Sequence, residues 1–116
     1  MFNFEKLEVW KLSKELCKVI FNFTKDFPNN EKYVLIDQMR RASLSVPSNI
    51  AEGSSRMTVK DKQHFYTMAY SSLMELVNHS IISNELNYID DEQLNFIKSE
   101  SLIIAKMISK LRKNTF

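Results

Sequence analysis

The stretch Glu5–Asp26, EKLEVWKLSKELCKVIFNFTKD, carries apolar residues at Val9, Leu12, Leu16, Val19 and Phe23. They step by three, four, three and four, which places them on one side of a helix and gives the seam spacing of a helix packed in a bundle. The spacing predicts a first helix over about 5–26. Pro28, followed by Asn29 and Asn30, ends it, because proline cannot continue the backbone ladder and Asn suits turns.

Three more stripes follow the same logic. Leu35, Met39, Ala42, Val46 and Ile50 predict a helix over 31–53, closed by Gly53, the only glycine, as a left-handed terminator. Pro47 lies inside that stripe and removes a donor, so a kink is expected there, with Ser43 and Ser45 placed to satisfy freed groups. Thr58 and Asp61 have the form of a helix-start box for a third helix over 59–86, with Asn87 as its left-handed cap. Asp90 and Gln93 open a fourth over 91–113, striped by Leu94, Ile97, Ser101, Ile104, Ile108 and Leu111. Matched lengths and short connections predict one domain over 1–116: an all-α, antiparallel up-down-up-down four-helix bundle.

Composition agrees and excludes much else. One glycine and two prolines in 116 residues leave too few turn-formers for a sheet protein. Cys17 is the single cysteine and has no internal disulfide partner. No apolar run approaches the roughly 20 residues that cross a bilayer, and MFNFEKLEVW does not read as a secretion signal, so no membrane partner and a cytoplasmic location are expected. No cofactor is expected. A di-iron bundle would need two Glu-x-x-His motifs, whereas Glu75 and His79 stand four apart with no second pair, and His64 and Cys17 have no neighbour at metal-ligand spacing. No nucleophile sits in a glycine-supported turn, and one glycine cannot build a phosphate-cradling loop. Neither catalytic nor metal-binding residues are assigned, and the chain reads as a non-enzyme.

The third helix has more apolar surface than one buried side uses. Phe65, Ala69, Ser72, Leu76 and Leu86 form one face; Tyr66, Tyr70, Leu73, Val77 and Ile81 form a second beside it. The second face is assigned to contact with another copy of the chain, the alternative being tyrosines at the core's edge with wet hydroxyls. On the second helix, Arg41, Ser45, Ser48 and Glu52 share a polar face, either a strip in which Arg41 contacts phosphate or, more simply, a polar seam. An ion pair from Arg40 or Arg41 to Glu75 is within reach if helices two and three run antiparallel.

Net charge is only +2, but its distribution is uneven. In an up-down bundle the start of helix one, the 54–62 turn and the end of helix four share a pole. That pole collects Lys6, Lys11, Arg56, Lys60, Lys62, Lys106, Lys110, Arg112 and Lys113, while Asp26, Glu31, Asp37, Glu85, Asp90, Asp91 and Glu92 gather at the other. Part of the cluster complements the dipole of the fourth helix. The remainder suits a phosphate backbone, with Arg56, Lys60, Lys62, Lys106, Lys110, Arg112 and Lys113 as the contributors to RNA or DNA binding. A scaffold recruiting a protein partner is the rival function.

The segment RRASLSVPSNIAEGSSR, Arg40 to Arg56, resembles the signature of the four-helix-bundle proteins encoded in intervening sequences of bacterial 23S ribosomal RNA genes. Leu7, Val9, Trp10 and Leu16 resemble that family's first helix, and Leu35, Asp37, Gln38 and Met39 its lead into the signature. Ala69-Tyr70-Ser71-Ser72-Leu73-Met74-Glu75-Leu76 resembles its third-helix motif, where a glycine often stands at the position of Tyr70; Leu86-Asn87-Tyr88-Ile89 also fits. The resemblance implies a cyclic homopentamer without established catalytic activity. The similar accessory protein of diversity-generating retroelements binds a reverse transcriptase and nucleic acid, so the resemblance also implies a polymerase or a nucleic acid as partner.

Overall fold

The computed structural model describes residues 1–28 and 32–115, apart from the side chains of Lys32 and Tyr33. Among these residues there are four α-helices and no strand: α1 Glu8–Phe23, α2 Asp37–Ser55, α3 Val59–Glu85 and α4 Asp91–Lys113. The protein is an all-α four-helix bundle, 45 Å long and 24 by 23 Å across. The turn expected at Asn29 and Asn30 lies outside the described residues, as does Glu31.

Contacts between neighbouring helices run in opposite senses. Along α1 and α2, Arg40 reaches Thr24, Ser43 reaches Cys17, and Pro47 and Ala51 line a groove with Trp10 and Lys14. Between α2 and α3, Met39 meets Ser83, Ser45 meets Ser72 at 2.8 Å, and Ser54 meets Lys62. Asn84 bonds Asp91 at one end of the α3–α4 pair and Gln63 bonds Arg112 at the other. Phe23 meets Phe96, and Val9 shares a groove with Met107, so α1 and α4 close the square the same way. The ends of α2 and α4 and the starts of α1 and α3 therefore come together.

The starts and ends are built by local chemistry. Asp90 and Gln93 exchange hydrogen bonds at 2.7 and 2.9 Å to open α4, and Thr58 accepts from the Asp61 amide at 3.1 Å to open α3. Asn87, at φ 65°, closes α3 in the left-handed conformation, with Tyr88 N–H donating to Ser83 and Asn87 N–H to Asn84. The first predicted helix is instead divided: a 3-10 turn at Asn3–Lys6, extended backbone at Leu7, α1, and a second 3-10 turn at Thr24–Asp26. The second begins with a π-helical turn at Lys32–Ile36.

Gly53 does not terminate α2. The helix passes through it to Ser55 without a positive φ, and the missing side chain makes room for Tyr66: a Cβ would lie 2.6 Å from the ring. Pro47 also lies within an unbroken helix, where the Asn49 amide donates to the carbonyl and hydroxyl of Ser45, both at 2.9 Å.

Of Tyr66, Tyr70, Leu73, Val77 and Ile81, assigned to an interface between copies, Tyr66 and Leu73 are corrected. Tyr66 and Leu73 are 3% and 0% exposed, buried with Ala69, Leu76, Ser80 and Ser83 along one seam of α3. Ile81 packs against the core and Val77 is half-buried, leaving Tyr70 alone on the exposed side. The reason is geometric: a helix with two neighbours in a square bundle buries a wider arc than a helix with one buried side, so the two predicted faces bracket a single seam.

The Arg to Glu75 ion pair is also not formed. Arg40 donates to Thr24 Oγ1 at 2.9 Å and to the Phe21 carbonyl at 3.3 Å while lying over the Phe21 ring. Arg41 pairs with Asp37, and Glu75 faces His79 at 3.3 Å. Ser45, through Ser72, belongs to an interhelical seam.

Buried hydroxyls are mostly satisfied by carbonyls of the preceding turn: Ser13 by Val9, Thr24 by Ile20, Ser80 by Leu76. Ser101 Oγ is buried and has no partner. An unpaired buried hydroxyl costs about 1–3 kcal/mol, and alanine removes it while improving helix propensity. Ser101→Ala is therefore expected to raise stability by about 1 kcal/mol, read as a higher urea midpoint with an unchanged slope; a lower midpoint would show that the hydroxyl is bonded in solution.

Candidate nucleic-acid interface

Antiparallel packing brings the sequence-predicted cations to one end of the bundle. Lys106, Lys110, Arg112 and Lys113 lie on the last two turns of α4, and Lys110 borders a groove with Leu7, Glu8 and Val9 at the start of α1. Arg112 ties α4 to α3, its guanidinium donating to Thr67 Oγ1 at 2.8 Å while its carbonyl accepts from Gln63. The link sets the last turn of α4 beside the first turns of α3, where Lys60 and Lys62 reside.

These cations are not equivalent. Lys62 folds back over the end of α2, its ammonium 2.9 Å from the Ser54 carbonyl and 3.5 Å from that of Gly53, and so satisfies a helix terminus. Arg56 pairs with Glu52 at 3.1 Å and stacks over the Phe65 ring at 4.4 Å. By contrast Lys60, Lys106, Lys110 and Lys113 are exposed and meet no carboxylate among the described residues. A surface cation without a carboxylate partner keeps its full charge for an incoming anion. Of the seven residues predicted, four are thus free to bind, one is half-occupied by α3, and two serve the fold.

Carboxylates that the sequence-based charge map left out share this end. Glu8 pairs with Lys11, Glu52 with Arg56, and Glu5 accepts the Phe2 amide at 2.7 Å. Asp61 stands at the N-terminus of α3, where its charge favours the helix dipole. At the far end lie Asp26, Asp37, Glu85, Asp90, Asp91 and Glu92.

Sequence reading also missed the aromatic residues of the first turn. Phe2 and Phe4 stack with centroids 6.1 Å apart, and Phe4 meets the edge of Trp10 at 5.0 Å. The 3-10 turn bearing them packs against α2, where Phe2, Phe4, Ala51 and Glu52 line a groove of about 370 Å³. Alternating aromatics in MFNFEK, beside the first lysines, were the available signal.

Two further features are defined by the side chains present. Among the described residues no three His, Cys, Asp or Glu side chains converge on one point, and no helix is long and apolar enough to cross a membrane.

Among curated proteins none matches this chain. The structure is similar to a crystal structure from Bacteroides thetaiotaomicron VPI-5482, a protein with unknown function from the S23 ribosomal protein family. The TM-score is 0.82 with 22% sequence identity, covering 91% of this chain and 99% of that one. At that identity the likeness speaks to the four-helix fold. Residues 5–110, which span all four helices, match the family model described as 23S rRNA-intervening sequence protein, and the chain belongs to that family.

Proposed function

We propose that this bundle is a non-enzymatic, cytoplasmic nucleic-acid-binding protein that holds RNA or DNA through the cation-rich end and works as a homo-oligomer. The observation that carries the reading is the convergence of α3 and α4 at an end where Lys60, Lys106, Lys110 and Lys113 face solvent without carboxylate partners. Flexible lysines without a shaped base-reading helix contact phosphates, so sequence preference is weak. In a cyclic assembly every protomer turns this end the same way, multiplying the field. Self-association is supported by apolar side chains left on the outside of α4, Phe96, Leu102 and Ile103, with Leu102 57% exposed. Five is the number of protomers that the family resemblance implies.

Binding measured at 50 and 200 mM salt, alongside the solution mass, tests the reading. Four phosphate contacts per protomer predict an affinity loss of about 50-fold for a single strand and about 150-fold for a duplex over that interval. A mass several times that of one chain is expected. Salt-independent binding, or no binding at low salt, overturns the proposal.

The same exposed residues of α4 favour a second reading, in which the assembly recruits a protein such as a polymerase. Capture of that protein after nuclease treatment, with no binding of purified RNA or DNA, distinguishes it.

A further inference from the structure

We propose that the nucleic acid held at this end is single-stranded, with an unpaired base stacking on Phe2 at the mouth of the groove between the N-terminal turn and the end of α2. The inference rests on the proposed phosphate-binding role of the same end, and it names the class of strand.

Phe2 is 74% exposed, yet it is held in place. Its amide donates to Glu5 Oε2 at 2.7 Å and its carbonyl accepts from the Glu5 amide at 3.1 Å, closing the Asn3–Lys6 turn. The ring lies nearly parallel to Phe4, 11° between planes, and Phe4 is braced against Trp10. One ring face is thereby backed by protein, and the side chain remains open to solvent. An exposed aromatic platform beside cations is the arrangement by which proteins hold unpaired bases, since every base offers a π-face and the neighbouring phosphates need countercharge. A duplex keeps those faces stacked inside and cannot offer one to Phe2.

The groove beneath suits such an occupant. Its lining joins the apolar Phe2, Phe4 and Ala51 with the polar Asn3, Ser54 and Ser55, and Glu52 supplies an acceptor for the amino group of a base. The Glu52 charge is offset by Arg56, 3.1 Å away. Lys6, on the same turn, is exposed and meets no carboxylate among the described residues, and Lys110 borders the neighbouring groove at Leu7 and Glu8, so the surroundings favour a polyanion over an apolar protein segment.

Labelled probes of equal length separate the contributions: a single strand in RNA and DNA forms, a duplex, and an abasic strand that keeps the phosphates and lacks bases. Phe2→Ala is expected to weaken single-strand binding about 5- to 150-fold, with Phe2→Tyr close to the parent. Binding of the duplex and the abasic strand should not change, nor should the salt dependence. Because Phe2 is exposed, the substitution leaves the fold intact, checked by helical circular dichroism. Equal affinity of Phe2→Ala for every probe relative to the parent, or parent binding of the abasic strand as tight as of the based strand, overturns the stacking role while leaving the phosphate role standing. Absence of salt-sensitive binding to all probes overturns the underlying reading instead.

Discussion

Simultaneous replacement of Lys60, Lys106, Lys110 and Lys113 by Glu will reduce affinity for RNA and DNA by at least 10²–10³-fold at physiological salt. The figure follows from counterion release: each phosphate neutralised contributes a slope of about −0.7 to −0.9 in log affinity against log salt, or roughly four- to sixfold near 0.15 M. Four such contacts multiply to the stated range, and reversal adds repulsion. Lys110 and Lys113 lie in the last turn of α4, where they also complement the helix dipole, so the variant should lose about 1–2 kcal/mol of stability yet remain folded. A variant of equal net charge, with Lys18, Lys25, Arg41 and Lys98 reversed, separates position from total charge. These four side chains are exposed and lie away from the cation-rich end. The control should retain binding within a few-fold. Equal losses in both variants would show that net charge alone governs affinity, and no loss in the first would end the assignment of this surface.

The end of the bundle could be read from the chain because alternation of direction follows from four helices of similar length with short connections. Which cations remain available there could not. Lys62 is spent on the Ser54 carbonyl and Arg56 on Phe65, pairings that depend on how side chains reach across a turn, while Arg56 with Glu52 stands at the local i,i+4 spacing. Helix starts such as Asp90 with Gln93, and the Asn87 stop, were legible because capping joins residues three to five apart. Tyr66 and Leu73 were misassigned because a helical wheel gives angles without saying how wide an arc two neighbours cover. Arg40 illustrates the same limit: its partners Thr24 and Phe21 lie on α1 and the turn after it, while the residue weighed from sequence was Glu75 on α3. Local chemistry was written in short spacings, and the missed contacts, Glu52 with Arg56 aside, crossed between helices.

Gly53→Ala will destabilise the bundle by about 1 kcal/mol, although helix propensity alone points the other way. Alanine in a helix interior is favoured over glycine by about 1 kcal/mol, and Gly53 has ordinary helical backbone that any residue adopts. Opposing this, the added Cβ would lie 2.6 Å and 2.9 Å from two ring carbons of Tyr66 and 3.1 Å from Phe65 Cβ. Those are positions well inside van der Waals contact. Neither neighbour yields readily: the atoms belong to a rigid ring and to the root of a side chain, and Tyr66 is 3% exposed. Burial also raises the Tyr66 pKa, consistent with a phenol held away from water. Overpacking of this kind costs about 1–3 kcal/mol, occasionally more, and here it outweighs the propensity gain. The melting temperature should fall by roughly 4–6 °C. Ser55→Ala, two residues on and exposed, should stay within about 0.5 kcal/mol of the parent. Trimming the ring provides the decisive comparison: if steric pressure is the cause, Gly53→Ala combined with Tyr66→Leu will cost less than the two single changes added together, by about 0.5–3 kcal/mol. Strict additivity, or a Gly53→Ala variant that melts above the parent, would mean that α2 and α3 do not approach this closely in solution.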